Sequence, residues 1–243
     1  MRRLRSRAQD LIEAAFEHSV DGGRSNPLLG SRLHDFGFRG CTSVEQSVIG
    51  GVAHLLNFDG SDTMSACYYA QFVLNGGQPI AQSVPATEHR HVHAALSCVR
   101  AVADTFCGSL DSVSVMTAWA TEREALEHMI ENFGSGVFAC VMDRFVVAPL
   151  PSLPSLTLLR ACSYDYEHAL SEILPAVAKK KLAKGGFMVL RPDSGDPVQT
   201  VVLGLRAAEK VFGCDVNSKG FKVPRGCSII QGAFARPPVL LRG

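Results

Sequence analysis

The stretch GFMVLRPDSGDP, residues 186–197, decides the fold. Its first half is an unbroken apolar run of strand length. A run that is apolar on both faces suits a strand covered on both sides. Its second half is polar and ends in Asp196 and Pro197. That pair is a helix start: the carboxylate accepts from free amide donors, and proline has no N–H to lose at the first helical position. Val198, Val201, Val202 and Leu205 then give the helix an apolar face. The reading is one β/α unit, with Arg191 and Asp193 just past the strand's C-terminal end.

The same unit recurs along the chain. GVFACVM (136–142) predicts a buried strand ending at Asp143, and CSIIQG (227–232) predicts another. IAQSV (80–84) reads as a strand leading towards His89, and LLNF (55–58) is an apolar run followed by Asp62. Between them lie helical stretches. TSVEQSVIGGVAHLL opens with Thr42-x-x-Glu45, a capping box, and Thr121-x-x-Glu124 is a second one before ALEHMIENF. TMSACYYAQFVL (63–74) predicts a helix that stops at NGG. Tyr166, Ala169, Leu170, Ile173, Leu174 and Val177 keep a helical period, and Lys179, Lys180 and Lys181 suit that helix's negative C-terminal end. Alternating apolar strands and helices imply an α/β fold with a parallel sheet. In such folds the working residues sit at strand C-terminal ends, which here carry Asp62, His89, Asp143, Arg191 and Asp193.

Composition narrows the function classes. The chain has 243 residues, 47% hydrophobic and 19% charged, with a net charge of +1. It is long enough to bury a substantial core. Nothing in the bulk charge points to nucleic acid or to a membrane surface, and no apolar run approaches the length of a membrane span. The eight cysteines show no C-x-x-C pair, which fits free thiols in a reducing, cytoplasmic compartment. The basic start MRRLRSRAQD lacks the apolar segment of a secretory signal. SVPATEHRHVHAAL (83–96) places His89, His91 and His93 at alternate positions. On a strand they share one face, as a zinc site would need; in a loop they are merely a histidine-rich run.

Three stretches interrupt the pattern. Residues 90–113 have no clear strand or helix period. Residues 144–162 contain PLPSLPSL, which cannot continue a helix. Residues 233–243, AFARPPVLLRG, form an abrupt Pro/Arg-rich tail.

The motifs SRLHDFGFRG (31–40), LLNFDGSDT (55–63), QSVPATEH (82–89), FACVMD (138–143), FMVLRPDSGDP (187–197) and NSKGFKVPRGCSIIQG (217–232) together resemble the nicotinate/nicotinamide phosphoribosyltransferase family. Bridging 90–113 gives EHSVMTAWATERE, and bridging 144–162 gives CVMDSYDYEHAL; both look like continuous family sequence. The resemblance implies an incomplete parallel β/α barrel of the nicotinamide phosphoribosyltransferase type. It occupies residues 1–232 as one partial domain, interrupted by the atypical 90–113 and 144–162, with 233–243 an unmatched tail. It also assigns His89 to the family pattern and makes the histidine cluster accidental.

The implied activity is the joining of nicotinamide to phosphoribosyl pyrophosphate, giving nicotinamide mononucleotide and pyrophosphate in NAD salvage. By resemblance, Phe36 stacks on the nicotinamide ring, Asp62 accepts from the carboxamide NH₂, and Ser83 hydrogen-bonds the carboxamide. Arg39 and Arg191 are the base- and phosphate-side cations. His89 takes a phosphoryl group from ATP, with Asp143 and Asp193 as acidic partners for that histidine, for Mg²⁺ or for the ribose. A homodimer is implied, with neither nucleic acid nor membrane as a partner. The residues alone leave each of these open to a structural role: Phe36 as core, Asp62, Asp143 and Asp193 as caps, the arginines in ion pairs. The family's G-D-G segment and its N-terminal interface aromatic have no counterpart in the sequence. The alternative expectation is therefore a non-catalytic fragment that at most associates with an intact subunit. A metal-binding protein built on His89, His91 and His93 is the third.

Overall fold

The computed structural model describes residues 2–87, 122–142, 166–192 and 195–232, with the side chains of 2–5 and 122 left aside. The chain forms two compact units: Met1–Ser83 with Asp215–Val223, and Val84–Cys214 with Pro224–Gly243.

The first unit begins with helix α1 (Arg2–Ser19) and two 3₁₀ turns, Gly23–Ser25 and Leu29–Ser31. Strand β1 (His34–Asp35) leads into a third 3₁₀ turn, Gly37–Gly40, and helix α2 (Val44–Leu55). Strand β2 (Gly60–Ser61) is followed by helix α3 (Met64–Tyr69), which widens into a π segment, Ala70–Leu74, before the expected NGG stop. β1 and β2 pair in parallel, His34 opposite Gly60 and Asp35 opposite Ser61, and Gly60 makes a further parallel bridge to Gln82. The expected strand at 80–84 is thus a single bridge, and the LLNF run forms no strand: Leu55 ends α2, and Phe58 is core. Phe58 packs at 5.4 Å on the ring of buried His54, whose Nε2–H donates to the Gly60 carbonyl at 2.8 Å.

The α2 cap differs from the expectation by one residue. Ser43, not Thr42, is the N-cap, and its hydroxyl accepts from the Gln46 amide at 3.1 Å. Gln46 reaches back and accepts from the Thr42 amide and hydroxyl, each at 2.7 Å. The reciprocal logic of a capping box survives, with Ser43 and Gln46 filling the places given to Thr42 and Glu45. Thr121, of the second expected box, lies outside the described residues.

The second unit is a parallel three-stranded sheet with helices packed on it. Helix α4 (Glu122–Phe133) precedes β3 (Val137–Val141). Helix α5 (Tyr166–His168) passes through a π segment, Ala169–Ile173, into α6 (Leu174–Lys184). Pro175 has no N–H for the ordinary helical ladder, which accounts for the widened segment before it. Then come β4 (Phe187–Arg191) and α7 (Pro197–Phe212). A small ribbon, β5 (Cys214–Val216) with β6 (Lys222–Pro224), belongs mostly to the first unit and precedes β7 (Cys227–Ile229) in chain order. The sheet order is β3-β4-β7, and Ala86 adds a parallel bridge to Ala139. The parallel α/β reading holds. The described strands do not close into a barrel.

The core under this sheet includes Leu126, Ile130, Phe138, Leu174, Met188 and Leu190. Two helix expectations need correction. In α7 the buried positions are Thr200, Gly204, Ala208 and Phe212, whereas Val198, Val202 and Leu205 are exposed. Small residues four apart let this helix lie close to the sheet, a stripe that an apolar count passes over. The lysine run also does not end its helix, which continues to Lys184. Lys180 pairs with Glu127 and Glu131 of α4, and Lys181 is buried, donating to the Gly226 carbonyl. Burial holds the Lys181 ammonium below its usual pKa.

Candidate functional site

The site in the first unit is built on the ends of β1 and β2. Parallel pairing brings both C-terminal ends to one edge, and the Asp62 amide donates to the Asp35 carbonyl at 2.9 Å to continue the ladder. Gln82 joins the same edge: its carbonyl accepts from Ser61 at 3.0 Å and its amide donates to Asp59 at 2.7 Å. The three chain ends therefore deliver Phe36, Asp62 and Ser83 together.

Phe36 is 45% exposed, so it is not a core aromatic. Ser83 Oγ donates to Asp62 Oδ1. Thr63, not Asp62, is the N-cap of α3, and the Asp62 backbone carbonyl accepts from the Met64 amide at 3.0 Å. An aromatic face beside an acceptor-only carboxylate can take a flat ring bearing an amide donor. Arg39 is exposed on the 3₁₀ turn after Phe36.

Sequence reasoning missed His34. Its Nε2 lies 3.4 Å from Asp62 Oδ1, and its ring centre is 4.7 Å from that of Phe36. The signal was the spacing: residues i and i+2 of a strand share a face. It also missed buried Asp35, whose Oδ1 accepts from the Gly37 amide at 3.2 Å and shapes the turn carrying Phe36 and Arg39.

In the second unit Arg191 ends β4, opposite Val141 of β3. Its carbonyl accepts from Met142 at 3.2 Å. Buried Thr87 accepts the Val141 N–H at 2.8 Å and anchors the chain two residues before His89. Asp196 caps α7, accepting from Val198 at 3.1 Å and Gln199 at 2.9 Å, as the sequence predicts. Thr200 Oγ1 donates to Gln231 Oε1 at 2.9 Å and ties this helix to the segment after β7. His89, His91, His93, Asp143 and Asp193 lie outside the described residues. Among the described residues no group of three or more potential ligands forms a metal site, and no helix is long and apolar enough to cross a membrane.

Comparison with known proteins adds a family. The family model described as "Nicotinate phosphoribosyltransferase (NAPRTase) family" matches residues 31–232. A nicotinamide phosphoribosyltransferase of Xanthomonas campestris pv. campestris (strain 8004) is 33% identical over 215 residues, covering 86% of this chain and 36% of that protein. One from Acinetobacter baylyi is 28% identical over 222 residues, covering 85% and 37%. One from Mycoplasma pneumoniae is 27% identical over 207 residues, covering 79% and 34%. The chain thus spans little more than a third of the length of these relatives.

Proposed function

The chain belongs to the nicotinate phosphoribosyltransferase family of pentosyltransferases, and on that premise we propose that it carries the base site of a nicotinamide phosphoribosyltransferase acting in NAD salvage. The observation that carries this reading is the exposed Phe36 ring at the same sheet edge as the Asp62 carboxylate and Ser83. The nicotinamide ring stacks on Phe36. Its carboxamide NH₂ donates to Asp62, and the same negative charge repels the carboxylate of nicotinate. The base is chosen by one attraction and one repulsion at a single residue.

In the reaction the ring nitrogen's lone pair forms a bond to the anomeric carbon of phosphoribosyl pyrophosphate. The bond from that carbon to the pyrophosphate oxygen breaks, and pyrophosphate leaves with the electron pair. Arg39 and Arg191 supply planar, permanently charged forks suited to phosphate. Positioning and fixed charge do most of the work. Asp143 and Asp193 each follow by two residues the paired strand ends Val141 and Arg191. Carboxylates are the oxygen donors Mg²⁺ takes, and the ion would neutralise charge on the leaving pyrophosphate. His89, with one ring nitrogen to attack and one to be held, receives the γ-phosphoryl group of ATP: a nitrogen–phosphorus bond forms, the bond to the bridging oxygen breaks, and ADP leaves with the electron pair. A homodimer in the cytoplasm completes the reading.

The test is ligand-observed NMR on the chain with nicotinamide and nicotinate, paired with detection of nicotinamide mononucleotide when phosphoribosyl pyrophosphate, ATP and magnesium are supplied. Nicotinamide binds preferentially, and Phe36→Ala abolishes binding. Asp62→Ser shifts the preference towards nicotinate by about 10-fold, the low end for a hydrogen bond to a charged group because this site is open to solvent. Equal binding of both bases to wild type, or a ratio unchanged in Asp62→Ser, overturns the reading.

A further inference from the structure

The geometry points to His34 as the positioning residue that sets amide selection, with Gly60 as its obligatory seat; the inference rests on the base-site reading above. One imidazole touches both recognition elements. Its Nε2 stands 3.4 Å from Asp62 Oδ1, and its ring lies 4.7 Å from Phe36, tilted by 35°. Ser83 donates to that same Oδ1. Ser83 therefore holds that oxygen by a hydrogen bond, while the imidazole, whose Nε2 makes no hydrogen bond, stands against it from another chain segment and limits how far the carboxylate can turn. A carboxylate that must tell an amide from an acid gains from a fixed direction, because a freely turning one could swing away from a nicotinate carboxylate and lose the repulsion.

His34 is itself held. Its side chain is only 12% exposed. A β-carbon on Gly60 would stand 2.5 Å from His34 Nδ1 and 3.2 Å from Cγ, so the ring fills the space a side chain would take. Gly60 cannot retreat: it pairs with His34 across the parallel register, bridges Gln82 on its other side, and its carbonyl accepts from buried His54 at 2.8 Å. Any side chain at 60 must push the imidazole instead, moving the contact to Asp62 and the backing of Phe36 together. The loss of His34 and the gain of a methyl group at Gly60 therefore give the same functional signature by different routes.

The experiment measures nicotinamide and nicotinate dissociation constants on the full 243-residue chain by ligand-observed NMR, for wild type, His34→Ala, His34→Gln, Gly60→Ala and Asp62→Ser, each checked for fold by circular dichroism. His34→Ala and Gly60→Ala each lower the nicotinamide-to-nicotinate preference by about 5-fold, the scale of one partly solvated polar contact. His34→Gln, whose side-chain amide can reach Asp62 as Nε2 does, restores the preference to within about 2-fold of wild type. A preference lost in Asp62→Ser but unchanged in His34→Ala and Gly60→Ala overturns the positioning role and leaves the base site standing. A preference lost in His34→Ala and not recovered by His34→Gln also overturns it, since a purely structural role gives that result. Where His34→Ala does not fold, Gly60→Ala and His34→Gln decide in the same way. If wild type shows no preference for nicotinamide, the base-site reading falls and the role of His34 with it.

Discussion

Adjacent glycines at 185 and 186 give a test of how β4, the strand that delivers Arg191, is seated. Gly185 has φ +74 and ends α6, and nothing lies within 4 Å of where its β-carbon would be. Its requirement is conformational, so alanine there costs about 1 kcal/mol, the penalty of a left-handed L-residue, and asparagine costs less. Gly186 is the reverse case. A β-carbon there would stand 2.3 Å from the Gly134 carbonyl oxygen, 2.4 Å from that of Gly136 and 2.6 Å from the Ser135 carbonyl carbon. All three atoms are backbone, so no side chain can swing aside. Relief must separate the strand starts and stretch two hydrogen bonds, Gly186 to Gly134 at 2.9 Å and Phe187 to Gly136 at 2.8 Å. Those bonds contribute about 1 kcal/mol each, overpacking adds about 1–3 kcal/mol, and reduced freedom of the unfolded chain returns about 0.4–1 kcal/mol. The net loss for Gly186→Ala is about 2–5 kcal/mol. Native-state hydrogen exchange reads it at the Phe187 and Met188 amides, which should exchange roughly 30- to 5,000-fold faster. Gly185→Asn should leave them nearly unchanged. Unchanged or slower exchange in Gly186→Ala would show that the two strand starts have slack, and the packing argument would fail.

Ser43→Ala should destabilise α2 by about 1 kcal/mol and Thr42→Ala by less, seen as faster exchange of the Gln46 amide only in the first; equal effects would return the cap to Thr42. Burial pushes the Cys227 thiol up to about 12 from 9.0. The unfolded thiol therefore ionises above pH 9 while the folded one does not, and stability falls between pH 9 and 12 by about 1.4 kcal/mol per unit. Lys181 shifts the opposite way, and its charge favours the thiolate by less than burial opposes it. Urea midpoints at pH 7, 9 and 10 should thus decline more steeply for wild type than for Cys227→Ala, and parallel declines would refute this.

The elements legible in the sequence were those whose signal is local and redundant. β3 and β4 lie in unbroken apolar runs, β7 lies in the mostly apolar CSII, and the start of α7 is written twice, in Asp196 and in Pro197. β1 and β2, two residues each, are too short for any periodicity; they exist because parallel pairing and the His54 bond to Gly60 hold them. The α7 face was misjudged because valines and leucines were weighed by hydrophobicity, whereas closeness to β7 selected Gly204 and Ala208. At the site, Phe36, Asp62 and Ser83 came from motif resemblance, and the structure brings them together. His34 had the right spacing to Phe36, but its contact with Asp62 crosses between strands, and no local pattern records that.

The first unit is also discontinuous along the chain. Its opening 83 residues are completed by residues 215–223. There Asn217 donates to the Ser19 carbonyl at 2.7 Å, Ser218 donates to Asp21 at 2.6 Å, and Lys219 donates to carbonyls at the end of α1. A ribosome reads this order in time. At about 5–20 residues per second, the first helix waits roughly 7–28 s after residue 83 is made before its partner segment has been synthesised. During that interval the Ser19 and Glu17 carbonyls lack the Asn217 and Lys219 donors that they accept from in the finished unit. Synonymous codon changes that slow translation between residues 84 and 214 should therefore lengthen the lifetime of an open N-terminal half and increase its capture by chaperones, with no change in any amino acid.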